Sequence, residues 1–251
     1  MTSRLGSLRG RGSWGVPVQG GKFLLVAMLA IAISACQSTT LPQTKELNRG
    51  AGETRVILMP PDVQLSELDA GGVLEPKADW TEAAKRDMVT AFHAQGTERN
   101  LVMVDYDESK LPPDKAEALH SVTKLYAAVG LSIFAHQYPG ALQLPTKQHS
   151  FDWSLGPSVA VLREQYGADY ALLTYARDSY STGGRIALQV VAAAVVGVGI
   201  PGGTQLAFVS LIDLRTGDII WYNRLLRQTG DLRGEKAARG TVATLMERFP
   251  K

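Results

Sequence analysis

Apolar and polar positions follow more than one period along this chain, and the changes of period mark its elements. An unbroken apolar run, FLLVAMLAIAISA, occupies residues 23–35. A polar stretch with Pro42 and two glycines follows at 37–53 and reads as a flexible tether. Residues 55–59, Arg-Val-Ile-Leu-Met, form a short apolar run stopped by Pro60-Pro61, which suits a strand buried on both faces. Residues 62–78 read as a loop. Asp79-Trp80-Thr81-Glu82 then predicts a helix start of the capping-box kind, with Gly96 as its stop. Residues 101–104 are a second strand. Pro112-Pro113 opens a helix over about 113–136, in which Ala116, Leu119, Val122, Tyr126, Val129 and Ile133 recur at helical spacing.

The second half repeats the logic. A helix over 157–166 stops at Gly167, and residues 170–176, YALLTYA, form a strand. Strands at 204–213 and 218–227 flank Asp213-Leu214-Arg215-Thr216-Gly217-Asp218, a hairpin turn in which Gly217 supplies a positive φ. A last helix over about 234–247 buries Ala237, Val242, Leu245 and Met246. Trp221 and Tyr222, adjacent on a strand, read as one core and one surface aromatic. The order β-α-β-α-α-β-α-β-β-α predicts one α/β (α+β) sandwich at 54–251, a mixed sheet of about five strands covered by helices.

Residues 186–212 carry no charge over 27 positions. Three arrangements fit the first part, IALQVVAAAVVGVGI. It is a buried helix over about 184–197 leading into a central strand, an apolar helix packed against another subunit, or a membrane-inserted segment. The helical part is shorter than the roughly 20 residues a spanning helix needs. If the second arrangement holds, Ile186, Val190, Val191, Val195 and Val198 form a self-association face. Residues 197–202 also satisfy G-x-G-x-x-G, but a helix precedes them and a strand follows, the reverse of the dinucleotide fingerprint.

Charge changes the picture once the N-terminus is set apart. Residues 1–35 hold Arg4, Arg9, Arg11 and Lys22 and no acid; without them 22 basic residues face 24 acidic ones, a balance of −2. That leaves no basic excess for nucleic acid, where a basic face supplies most non-specific affinity. Basic residues ahead of an apolar run of this length are the layout of a secretory signal. The run ends in Ile33-Ser34-Ala35-Cys36, which resembles the lipobox of bacterial lipoproteins. That resemblance implies cleavage between Ala35 and Cys36, removal of residues 1–35, and acyl chains on Cys36 that hold residues 36–53 to a membrane. Gln37 follows the cysteine, where an aspartate would favour inner-membrane retention. The outer membrane, periplasmic face, is therefore expected. Cys36 is the only cysteine, so the mature domain forms no internal disulfide.

Candidate chemistry is sparse. His93, His120, His136 and His149 show no i,i+4 pair and no H-E-x-x-H, and the P-loop and G-x-S-x-G motifs are missing. Asp105, Asp107 and Glu108 cluster after the second strand. They read as a solvated strand-end loop, with carboxylate catalysis in an envelope hydrolase as the alternative. The polar segment Asp178-Ser179-Tyr180-Ser181-Thr182-Gly183-Gly184 reads as a strand-to-helix loop capped by Ser181 or Thr182, with hydroxyls suited to a sugar or peptide as the alternative.

A wider resemblance rests on Ala168-Asp169-Tyr170-Ala171-Leu172 and on residues 207–221, AFVSLIDLRTGDIIW. These are similar to the strand and the D-x-x-T-G hairpin of envelope lipoproteins whose domain resembles the N-terminal domain of TolB and the curli secretion lipoprotein CsgG. The segment Trp153-Ser154-Leu155-Gly156-Pro157 also resembles proteobacterial lipoproteins. The resemblance implies a periplasmic domain that contacts envelope proteins and is able to form homo-oligomers, with no cofactor and no catalytic residue; the residues themselves point to no metal site. The alternating amphipathic hairpins of a CsgG-type membrane barrel are not found in the sequence, which counts against a secretion pore.

Overall fold

The structure is a computed structural model that describes residues 43–44, 47, 53–138, 142–147, 150–196, 203–228 and 231–250, the side chains of 43–44 and 192–196 excepted. The chain divides into two compact units, Met1–Gln37 and Ser38–Lys251. Ala35, Cys36, His149, Val198 and the G-x-G-x-x-G segment lie outside the described residues.

The described part of the second unit is built on one mixed sheet. Its strands are β1 (Gln43–Thr44), β2 (Thr54–Leu58), β3 (Asp62–Leu68), β4 (Leu74–Pro76), β5 (Leu101–Asp105), β6 (Tyr170–Ser181), β7 (Gln205–Asp213) and β8 (Ile219–Arg227). The helices are α1 (Ala78–Glu98), α2 (Pro113–His136), α3 (Ala160–Tyr166), α4 (Gly183–Val196) and α5 (Glu235–Leu245). The spatial order is β1-β8-β7-β6-β2-β5, and β3 also pairs with β6. The α+β sandwich is as expected, but its sheet has eight strands rather than about five.

The extra strands have physical causes. Pro60-Pro61 interrupts the ladder without ending it, because proline lacks the N–H that a ladder needs. The chain steps and resumes: β2 pairs parallel with β6 at 170–172, and β3 pairs parallel with β6 at 175–181. Residues 62–78 are therefore not a loop. Val63 and Leu65 alternate with polar neighbours and are buried. β4 returns antiparallel on β3 through a turn in which the Asp69 carboxylate accepts from the Val73 N–H at 2.8 Å. Within the stretch expected to be a tether, β1 pairs antiparallel with β8, Gln43 opposite Tyr222 and Thr44 opposite Trp221.

Helices cover both faces. On one, α1 and α5 pack Met88, Phe92, Val242 and Leu245 against Leu65, Leu172, Val209 and Trp221. On the other, α2 and α3 pack Leu119, Tyr126, Ile133 and Leu162 against Ile57, Leu173, Phe208 and Tyr222. Trp221 and Tyr222 are consequently both fully buried, one into each layer; the expectation of one surface aromatic fails because β8 has no solvent face there. A register shift at Leu211/Ile212 leaves Ile220 as the extra residue of a bulge.

Helix boundaries show where local signals lose to packing. α1 begins after Lys77 with no side-chain cap, so the Asp79 capping box does not form; the Thr81 hydroxyl instead accepts from the Leu65 N–H at 3.0 Å. Gly96 lies inside α1, not at its end. A Cβ there would stand 2.4 Å from Met103 Cγ, so this glycine permits close approach to β5. In α5 the buried residue is Ala238 rather than Ala237. The 213–218 turn forms as expected, with Gly217 at φ +80°. It is clasped by the Trp153–Pro157 segment: Leu155 N–H donates to Gly217 O, and a Cβ on Gly217 would lie 2.0 Å from Gly156 O.

Candidate functional site

α4 is where the apolar expectation and the structure part most informatively. It is a helix, as expected, but over its described side chains, 183–191, not a buried one. Ile186, Val190 and Val191 are 51%, 64% and 58% exposed, and Leu188 is exposed as well. The residues turned toward the body are polar. Arg185 donates to Asp69 O at 3.4 Å, and Gln189 to Ser181 Oγ at 3.5 Å. Arg185 and Gln189 are four apart and so share one side of the helix. Over the described side chains, 183–191, the usual amphipathic arrangement of a globular protein is thus inverted, with the polar stripe inward and the apolar arc outward. Val195 lies within α4, its side chain outside the described part, as Val198 is altogether.

The polar underside continues into the core. β6 runs to Ser181, so Asp178 is not in a strand-to-helix loop but in the ladder, opposite Gln205 and 3% exposed. Its Oδ2 accepts three donors: the Tyr180 hydroxyl at 2.5 Å, Gln205 Nε2 at 2.8 Å and the Leu232 N–H at 3.2 Å. Burial pushes the Asp178 carboxyl up to about 6, against the lowering effect of those three donors. Burial, and then the charge of Asp178, raises the Tyr180 phenol. Arg233, paired with Asp231 at 2.8 Å, lies over the Tyr180 ring at 4.1 Å. A concavity of about 280 Å³, lined by Asp178, Tyr180, Ile186, Gln189 and Arg233 among others, separates this network from α4. Thr182 caps α4, its hydroxyl accepting from the Arg185 N–H at 3.2 Å; of the two expected caps, Thr182 is the one used.

A second place is set by topology alone. β2 and β5 are adjacent and parallel; from the carboxyl end of β2 the chain continues into β3 of the same sheet, and from that of β5 it passes toward α2. With α1 packed on one face of the sheet and α2 on the other, these carboxyl ends border a crevice, a position at which α/β sheets commonly bind ligands. Here it holds two clefts on either side of Tyr106. One of about 520 Å³ is lined by Leu58, Pro60, Lys85, Val89 and Asp105, and one of about 310 Å³ by Met59, Asp62, Leu119, His120 and Lys124. The expected acidic cluster borders this crevice but does not converge. Asp105 meets His93 Nε2 at 2.8 Å, Asp107 accepts from Ser109 N–H and Oγ, and Asp105 and Glu108 are exposed while Asp107 is half-buried. Hydrogen bonding to Ser109 holds the Asp107 carboxyl below its usual range. Among the described residues no group of three or more His, Cys, Asp or Glu side chains is placed to hold a metal.

Sequence reasoning missed the Asp178 network and the crevice for different reasons. The network had a signal, an acid at an inward position of a strand that continues past 176. The crevice depends on which helices pack beside the carboxyl ends of β2 and β5, which no local pattern records.

No family model and no curated protein matches the chain, so the expected kinship with the TolB N-terminal domain and CsgG receives no family-level support. Among solved structures, the PelC dodecamer from Paraburkholderia phytofirmans matches at 12% identity and TM-score 0.37, covering 85% of this chain and 100% of that one. A variant of the same dodecamer matches at 13% and 0.36, covering 83% and 94%. Lipoprotein GNA1162 from Neisseria meningitidis matches at 14% and 0.31, covering 69% and 81%. Likenesses this distant carry no argument about activity or partners.

Proposed function

We propose that this chain is an outer-membrane lipoprotein precursor whose periplasmic α/β domain works by protein–protein contact in envelope assembly or maintenance, without catalysis of its own. The observation that carries the reading is the basic N-terminal stretch, the apolar run at 23–35 and Ile33-Ser34-Ala35-Cys36 directly ahead of a folded domain. One acyl chain anchors weakly, at roughly 0.8 kcal/mol per buried methylene, whereas two or three anchor firmly. Contact with other proteins is favoured by strand edges that pair on one side only among the described residues: β4 and β5, besides the two-residue β1. The β4 hairpin also exposes Val73 and Leu74. Open edges are templates for an added strand.

A second reading, an oligomeric export component, is favoured by the outward apolar arc of α4, which another copy would cover. Two measurements on protein from intact cells test the pair. Intact mass is expected to show residues 1–35 removed and a lipid thioether on Cys36; a bare thiol with the leader attached would end both readings. Photo-crosslinkers at Leu74 and Val102 are expected to trap an envelope protein. A third crosslinker at Val190 on α4 that gives adducts between copies, with none from Leu74 or Val102, would favour the oligomer instead.

A further inference from the structure

We infer that α4 lies in the surface of the membrane that holds Cys36, as a second, non-covalent anchor whose apolar arc sits among the lipids. This rests on the lipid-anchor reading above and goes beyond it by assigning an occupant to the outward face of α4.

The direction of β1 supplies the argument. β1 is antiparallel to β8, with Gln43 opposite Tyr222 and Thr44 opposite Trp221. The chain therefore enters β1 from the end of the sheet at which β8 finishes. At that same end β7 begins, since Gln205 pairs with Arg227, and the Ser181 terminus of β6 leads directly into α4. From Tyr222 to the end of β8 at Arg227 is five residues, roughly 17 Å of extended strand. From Cys36 to Gln43 is seven residues, a chain that spans at most about 25 Å. The acylated residue is thus on a leash just long enough to place its membrane at the α4 end of the sheet and too short to hold the body far from it.

The composition of α4 fits that occupant. The segment GGRIALQVVAAAVV has one cation, Arg185, in its first turn and no acid, so nothing in it repels anionic headgroups. Its 14 residues make a helix of about 21 Å, too short to cross a bilayer but suited to lying in its plane. Interfacial helices bury their apolar side roughly 5–10 Å into the headgroup and acyl boundary. Val190 and Val191 already face outward and Ile186, which also borders the concavity, is half exposed, while Arg185 and Gln189 tie the opposite side to the body, so no rearrangement of the domain is required.

The test uses the full lipidated protein reconstituted in phosphatidylethanolamine–phosphatidylglycerol vesicles. With Cys36 acylated, Val190→Cys or Val191→Cys provides the single free thiol for a polarity-sensitive fluorophore. Arg215→Cys, on the turn at the opposite end of the β7–β8 hairpin, is the comparison site. Lipids brominated near the carbonyl end of the acyl chain are expected to quench the 190 and 191 probes by about half and leave the 215 probe unchanged, as depth near the acyl boundary requires. Equal, negligible quenching at all three sites overturns the inference, and concentration-dependent self-quenching between 190 probes would then identify a second copy as the cover. Intact mass of the same preparation separates the two failures. A lipidated Cys36 with an unquenched probe sinks only the docking of α4, whereas a bare Cys36 overturns the anchor and this inference together.

Discussion

α2 and α4 are both apolar helices, and the protein uses them in opposite senses. α2 is long and apolar enough to cross a bilayer by length and composition, yet its stripe of Leu119, Val122, Tyr126, Gly130 and Ile133 is turned onto the sheet. Its backbone comes so close that a Cβ on Gly130 would stand 2.1 Å from Phe208 Cε2, and the Tyr222 hydroxyl donates to Gly130 O at 2.9 Å. α4 is shorter, and its apolar arc points away from the body. Hydropathy does not separate the two. What separates them is the surface each one meets: the apolar face of a covered sheet under α2, and a hydrogen-bonded acid network under α4.

The largest expected effect breaks this contrast at its strong end. Phe208 is fully buried, stacked on Tyr175 at 4.8 Å and on Tyr222 at 5.5 Å. Phe208→Ala is expected to cost about 3–5 kcal/mol in urea unfolding, the usual range for a core aromatic. Val190→Ala, on the exposed arc, is expected to stay within about 0.5 kcal/mol. Comparable losses at the two positions would mean that α4 is covered within the monomer.

Next in size is the polar underside of α4. The Asp178 carboxyl, near 6 when folded against an ordinary value of 3.8, is raised by burial. A raised folded pKa means that its contribution to stability is fully present below about 4 and is lost as pH rises through 6. The groups facing it are Tyr180, Gln205 and the Leu232 N–H, with Arg227 and the Arg233–Asp231 pair nearby. Asp107, Asp152 and Asp231 are lowered and work in the opposite direction, so the wild-type curve alone does not isolate it. The difference between wild type and Asp178→Asn does. The wild type is expected to gain of the order of 2–3 kcal/mol relative to the variant between pH 7 and pH 4. A flat difference would show that Asp178 is hydrated rather than buried.

Much of the architecture was legible because it is written in local periods. The 113–136 helix, the Gly167 stop, the 213–218 hairpin and the order of the five main strands follow from spacing and turn chemistry. The errors share one cause: a neighbour distant in sequence decided the outcome. Pro60-Pro61 looks like an end, but β6 is long enough to pair again beyond it. Gly96 looks like a stop, but Met103 needs the space. Trp221 and Tyr222 look like an inside–outside pair until helices are known to cover both faces. The composition of α4 was plain, but its orientation was not, because a charge-free run carries no mark of which side will find polar partners.

Glycines extend the comparison with opposite signs. Gly130→Ala drives a methyl into the Phe208 ring, an overpacking expected to cost about 1–3 kcal/mol despite the gain in helix propensity. At Gly184 the nearest atoms to an added Cβ are Thr182 Oγ1 at 3.9 Å and the Ala70 Cβ at 4.0 Å, so nothing need move. Gly184→Ala is expected to be neutral or to stabilise by up to about 1 kcal/mol. Thermal unfolding of the two single variants reads both signs, and destabilisation at Gly184 would count against the open setting of α4.

The smallest effect concerns how α4 is held. Thr182 caps it, and Ile186 N–H donates to Thr182 O at 3.0 Å, but none of its described side chains, 183–191, belongs to either apolar layer of the core. A cap lost from a helix that is part of the cooperative core costs about 1 kcal/mol globally. A cap lost from a helix that opens independently costs the same amount only locally. Thr182→Ala is therefore expected to leave the urea midpoint unchanged while the amides of 186–191 exchange with solvent several-fold faster, as a local loss of about 1 kcal/mol requires. In the lipidated protein on vesicles the same amides are expected to slow again, because a membrane surface would stabilise the helix that the body holds only weakly. A shifted midpoint with unchanged exchange would instead make α4 part of the core, and its outward valines would need a different explanation.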